Sequence, residues 1–218
     1  MVEEVKKEST GETPEVGEKH LKYIVLIMVV LLLGVFLVYF FITSSKTFSY
    51  GGLDFQKVNY DKLQLYYSKI PQKTATGEVI RNYNLYLEKD PRTLKGISVQ
   101  GTILLKTNLI VSTDPAIDKC SGGAVAGAKL NDFFSASEIK PVWSASMNES
   151  YALEKNKSYV TCNESLPYTI LLVQPGDKNQ IVQVSTNCYS LEIKDCQTID
   201  VIERFIVAAI ANSKGIKV

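Results

Sequence analysis

Apolar and polar positions follow three rhythms along this chain. From Tyr23 to Ile42 no charge interrupts YIVLIMVVLLLGVFLVYFFI. Twenty such residues in a helix, at ~1.5 Å each, reach about 30 Å, the thickness of a bilayer core. Tyr23 at one end and Tyr39, Phe40 and Phe41 at the other suit the two interfaces. The run exceeds a usual signal-peptide core and no A-x-A-like site follows, so residues 23–43 read as an uncleaved signal anchor.

Beyond SSKTFSYGG (44–52), a linker ending in a glycine turn, the rhythm changes to alternation. LDFQKVNYDKLQLYYSKI gives two strands with a bend near 59–61, and PQKTATGE is a polar turn. VIRNYNLYLEKD alternates again, with ISVQGTILLKTN as its partner strand across DPRTLKG. NLIVST is a short buried strand and IKPVWSAS another, its Trp143 marking core. YTILLVQPGDKNQIVQVSTNCYSLEI reads as a hairpin about PGDKN.

The third rhythm is helical. Asp114 and Pro115 open a segment whose regular helix starts near Gly122–Gly123 and runs through Phe133–Phe134. In TIDVIERFIVAAIANSKG the apolar face is Ile199, Ile202, Phe205, Ile206, Ala209 and Ile210, and Gly215 ends it. The expected fold is α+β (mixed α/β). An N-terminal transmembrane helix precedes one sheet-based domain, 53–218, with two helices covering one face of the sheet.

Composition adds the compartment. Residues 1–22 hold six Glu and four Lys and almost no large apolar side chain, which predicts a disordered cytoplasmic tail. Lysines outnumber slightly on that side of the span, favouring an N-inside orientation. Three sequons, at Asn148, Asn156 and Asn163, cluster in the polar stretch MNESYALEKNKSYVTCNESLP, read as an exposed, glycosylated excursion. A single-pass protein with its C-terminal domain extracytoplasmic is expected, its partners being the bilayer through 23–43 and another envelope protein. With 24 Lys+Arg against 23 Asp+Glu there is no nucleic-acid footprint.

The only histidine, His20, lies in the tail. That weakens readings as a zinc hydrolase or a serine or cysteine hydrolase with a histidine base, and leaves carboxylate pairs or a Ser-Lys dyad. No cofactor is expected. Asp114 and Asp118 are a candidate acid pair, weighed against a cap and a first-turn acid. Ser121-Gly122-Gly123 at a helix start suggests an anion cradle, weighed against a small-residue packing face. Arg92 in Asp90-Pro91-Arg92 suggests carboxylate recognition, weighed against a plain turn.

GLDFQKVNYDKLQLYY, YNLYLEKDPR, and CYSLEIKDC running into IDVIERFIVAAIANSKGI resemble uncharacterised single-pass membrane proteins of small-genome archaea. The likeness covers most of the outer domain. It implies the anchor-plus-domain layout and says nothing of mechanism.

Four cysteines, Cys120, Cys162, Cys188 and Cys196, lack C-x-x-C spacing. An even count outside the cell favours two disulfides over a metal site or redox couple. A strand between Cys188 and Cys196 would hold them more than ~20 Å apart, so they do not pair. In a hairpin about Gly176, Cys188 faces residue 164, near Cys162. Cys120 and Cys196 each stand at a strand-to-helix junction, on one edge if those strands are parallel. The expected pairs are Cys162–Cys188 and Cys120–Cys196. Three functions follow: a non-enzymatic binding or assembly module of the envelope, a small-ligand sensor or carrier, and a carboxylate-based hydrolase.

Overall fold

The computed structural model describes residues 16–44, 46–73, 76, 78–162 and 167–218. The chain divides into two compact units at Lys46/Thr47. The first contains helix α1, Val16–Ser44, whose stretch Leu21–Phe40 has a mean hydropathy of 3.0 and is not covered by protein. It is long and apolar enough for a membrane anchor or a signal sequence. The helix begins before the expected span, taking in residues 16–22 of the acidic tail. Glu18, Lys19, Leu21 and Lys22 are good helix formers and extend a helix already nucleated by the apolar run. Residues 1–15 of the expected disordered tail lie outside the described residues.

The second unit is α+β and holds two sheets, not one. Strands β1 (Thr47–Tyr50), β2 (Leu53–Tyr60), β3 (Leu63–Lys73) and β4 (Val79–Leu87) form an antiparallel meander in chain order. The expected linker 44–52 therefore contains a strand, and the domain begins at Thr47 rather than at residue 53. Phe48 and Tyr50 point inward on alternate positions, Phe48 stacking on Phe55 with ring centroids 5.6 Å apart. Gly51 and Gly52, with φ of 58° and 70°, turn the chain between β1 and β2, a conformation that glycine adopts without strain.

The larger sheet is built from β5 (Ser98–Gln100), β6 (Asn108–Thr113), β7 (Lys140–Ser146), β8 (Ser158–Tyr159), β9 (Thr169–Pro175), β10 (Gln180–Ser185) and β11 (Cys188–Ile193). Its order is β5-β10-β11-β9-β6-β7-β8. From β11 to β8 all strands are parallel; β10 runs against β11. Two expectations change here. Residues 97–108 do not pair with β4; only Ser98–Gln100 is strand, beside β10. The hairpin about PGDKN does not form, because β11 lies between β9 and β10 and the true hairpin is β10–β11. Thr169–Val173 is buried at every position, so this run suits an interior strand with neighbours on both sides.

Helices α2 (Gly123–Ala136) and α4 (Thr198–Ser213) cover one face of the large sheet. The meander covers them in turn, so α4 is enclosed from Val201 to Ala211 on every side. The amphipathic face expected of α4 is half of its burial. Glu203 and Arg204, which lie outside that apolar face, are also enclosed and are satisfied by protein. Arg204 donates to the Ile97 carbonyl (3.1 Å) and the Tyr50 hydroxyl (2.8 Å). The opposite face of the large sheet carries a smaller core of Ala145, Val160, Ile170, Leu172 and Cys188. The sequon-bearing excursion, with helix α3 (Glu149–Glu154), folds over that face.

Candidate functional site

Strands β6 and β9 are neighbours, but their chains leave in opposite directions. β6 leads through α2 to β7 on one side; β9 leads to β10 and β11 on the other. In parallel sheets the crevice at such carboxyl ends is the usual ligand position. Here it is open, with a cavity of about 340 Å³. Val111 and Thr113 of β6, Val173 of β9 and Trp143 of β7 form its floor, with Leu130 of α2 and Ile202 of α4 beside them. Asp118, Lys157 and Thr198 supply the polar groups.

Trp143 shares the face of Val111. Ile110 faces Val142 and Ser112 faces Ala145, so β7 carries one extra residue across that interval. Trp143 follows Val142 by ordinary alternation onto the crevice face, and the extra residue returns Ala145 to the face of the smaller core. Its ring lies 6.2 Å from Phe134 and remains 37% exposed, so the sole tryptophan is a wall of the crevice rather than closed core.

The rim is polar. Asp118 sits in a 3-10 turn, Ile117–Lys119, and accepts a long hydrogen bond from the Tyr151 hydroxyl (3.4 Å). Lys157 lies over the same tyrosine ring at 5.3 Å, a cation–π contact that holds the ammonium beside the opening. Carboxylate and ammonium thus flank one aromatic ring without forming a salt bridge with each other. Asp114 is apart from this: its Oδ1 accepts the Ala116 amide (2.8 Å), a turn cap. Among the described lining residues Asp118 is the one carboxylate, so no acid pair converges here.

The expected anion cradle is differently used. Gly122 N–H and Gly123 N–H both donate to the Cys120 carbonyl (3.2 Å each), which occupies the amides that an anion would need. Ser121 is exposed and Gly122 abuts Ile199, where an added Cβ would stand 3.2 Å from its Cδ1. Gly123 and Gly127 do line the crevice, and a Cβ on Gly127 would meet nothing within 4 Å. The small-residue run therefore makes room as well as packing.

Arg92 is not directed at the crevice. Its Nε and Nη2 grip Asp90 at 2.9 and 2.6 Å, and its guanidinium lies 3.8 Å over the Phe48 ring. The Arg92 hydrogen bonds hold the Asp90 carboxyl below the ordinary carboxylate range. This is a locked turn, with its donors directed at one carboxylate.

Both expected disulfides are present. Cys120–Cys196 (Cα–Cα 5.2 Å) joins the turn before α2 to the turn before α4, across the rim of the crevice. The strands concerned, β6 and β11, are indeed parallel. Cys162–Cys188 (Cα–Cα 5.7 Å) forms for a different reason from the one anticipated. Cys188 stands opposite Ile170, not residue 164. Cys162 reaches it because residues 158–162 are fastened under the sheet, where Ser112 Oγ donates to the Val160 carbonyl (2.8 Å).

Of the sequon asparagines, Asn148 caps α3, its Oδ1 accepting from Tyr151 N (3.0 Å) and Ser150 Oγ (2.8 Å). Asn156 is exposed at the end of α3 with φ 51°. Asn163 lies outside the described residues. Alternation places Trp143 on that face but could not reveal the crevice, because α2, α4 and Lys157 are brought round it from distant parts of the chain. No family model, curated protein or solved structure matches the chain.

Proposed function

We propose that this chain is an anchored binding module. Helix α1 spans the membrane with the N-terminus inside, the stapled domain stands outside, and the crevice takes a small amphipathic ligand. The observation that carries this reading is the crevice itself. It has an aromatic wall, a carboxylate and an ammonium at its mouth, and a position at diverging strand ends. About 340 Å³ suits a small molecule at the low end of ligand pockets, which run ~300–1,000 Å³. Its apolar body would lie against Trp143 and Ile202. A head bearing both charges, such as that of an aromatic amino acid, would face Asp118 and Lys157. Two disulfides fit an oxidising compartment, and exposed Asn148 and Asn156 are then open to glycan addition. A partner protein of the envelope would be bound by the same groups if it offered a chain end with that chemistry.

Trp143 is the single tryptophan, so its fluorescence reports directly on the crevice. Full-length protein in lipid nanodiscs, titrated with phenylalanine, phenethylamine and phenylacetate, will show a saturable change that is largest for the zwitterion. Gly127→Leu fills the open space. It should abolish the change while raising helix stability by about 1 kcal/mol, a Tm gain of roughly 2–4 °C. A flat titration with all three compounds, or undiminished binding by Gly127→Leu, defeats the proposal.

A further inference from the structure

The outer face of the meander carries a hydrophobic phase that the core cannot explain. In β2, Leu53 and Phe55 point inward and are buried. Val58 and Tyr60 have the opposite parity, and the register to β3 runs without a bulge through Val58↔Leu65 and Tyr60↔Leu63. These four side chains therefore share the outward face, away from the helix layer. Tyr60 is 76% and Leu63 61% exposed. On the inward parity of the same ribbon stand Lys57, Asn59 and Gln64. Amphipathicity is thus reversed relative to the body of the sheet: Val58 and Leu65 are half-buried, while Tyr60 and Leu63 at the tip are left without a cover from the domain.

The register also says where this ribbon lies. β1 enters at Thr47, opposite Gln56, and runs toward Tyr50 and the domain body. β2 returns past Thr47 by four more residues, ~13 Å, before turning at Asp61-Lys62. At the far side β4 reaches only as far as Leu87, opposite Tyr66. Residues 57–65 are consequently a two-stranded overhang at the end of the sheet where the chain comes in. Two residues separate Thr47 from Ser44, the last residue of α1, a leash of about 10 Å.

We propose that this overhang rests in the interface of the same bilayer that α1 spans, with Tyr60 and Leu63 at headgroup depth and Lys62 at the surface. The inference rests on the reading of α1 as a membrane span. Tyrosine and leucine at a hairpin tip, with lysines beside them, have the composition of interfacial contacts. The short leash supplies the argument for lipid over another cover, because the overhang starts within reach of the bilayer surface and cannot diffuse from it. Such a second contact would fix how the domain stands on the membrane, and with it the accessibility of the crevice.

The test places the only tryptophan at the tip: Leu63→Trp on a Trp143→Phe background, in full-length protein reconstituted into phosphatidylcholine vesicles. Flotation first establishes that the protein is membrane-bound. Emission from residue 63 should then be blue-shifted and lost on adding lipids spin-labelled near the headgroup. Val184→Trp on the same background, an exposed position in β10, should show neither effect. Tyr60→Trp gives the same readout from the facing strand should Leu63→Trp fold poorly. Water-like, unquenched emission from both tip positions in floating vesicles overturns the proposal and leaves the anchor standing. A shift that fades on dilution to one protein per vesicle overturns it in favour of a second copy of the chain. Failure to float removes the anchor, and the proposal with it.

Discussion

Replacing Cys120 and Cys196 together by alanine will lower the stability of the Thr47–Val218 domain by about 4–5 kcal/mol, the chain-entropy value for a loop of this size. The bond closes a sequence separation of 76 residues, against 26 for Cys162–Cys188, for which the same relation gives about 3–4 kcal/mol. Thermal unfolding of the two double variants should therefore rank them in that order. The Cys120–Cys196 variant should fall by roughly 10–15 °C. The same change should also weaken ligand binding at Trp143, because both cysteines stand immediately before helices that line the crevice. A loss below about 1 kcal/mol would mean that the native contacts between the two turns constrain the chain without the bond.

Glu203→Ala should cost about 3–5 kcal/mol, the range for removing one member of a buried charged network. The Glu203 carboxylate is fully enclosed and receives the Glu88 amide at 2.7 Å, the Lys89 amide at 3.1 Å and the Lys129 ammonium at 3.0 Å. It thereby joins α4 to α2 and to the end of β4, the corner at which meander and helix layer meet. Alanine leaves two amides without their acceptor; Lys129 keeps the Glu88 carboxylate at 3.5 Å and the Tyr86 carbonyl at 3.1 Å. Urea unfolding with an unchanged slope and a lowered midpoint is the expected signature.

The pH dependence has a defined sign. Burial pushes the Glu203 carboxyl above the ordinary range, more than the amides and Lys129 pull it down. Between the ordinary value and the raised one, the folded state holds a proton that the unfolded state has lost. Stability contributed by this group is full below that window and declines as pH rises through it. Glu203→Ala should flatten that part of the stability curve, measured by urea unfolding as pH is raised from the ordinary carboxylate range. An unchanged slope would show that another group carries it.

Legibility differs from element to element. Strands β2, β3, β4, β6 and β7 and helices α2 and α4 were visible because alternation and the 3.6-residue rhythm are imposed by each residue's own neighbours. β1 is not legible because four residues beside two glycines carry too little alternation to outweigh a turn signal. The β9–β10 hairpin was anticipated because PGDKN is good turn chemistry. Turn chemistry says that the chain reverses, not that the two arms pair. Burial of both faces of Thr169–Val173 decided the pairing, by giving that strand two parallel neighbours.

The candidate site shows the same division. Gly123, and Asp118 as an acid at a helix start, were within reach of the sequence. Trp143 reads as core because alternation gives its face but not whether the helices close over it. Lys157 and Tyr151 looked like solvated excursion. The reversed phase of Val58, Tyr60, Leu63 and Leu65 was present as alternation, but only the register showed that it faces away from the core.

By itself, then, the sequence determined the apolar helix, the α+β class, the helices α2 and α4, and that Cys120 and Cys196 each stand just before a helix. Each rests on local periodicity or on which elements precede a helix. Only the tertiary structure decided that there are two sheets, that β11 divides β9 from β10, that α4 with Glu203 and Arg204 is enclosed, and that a crevice opens between diverging strands. Those outcomes depend on which distant surfaces exclude water from one another. That competition is settled by the whole chain and leaves no mark on the spacing of neighbouring residues.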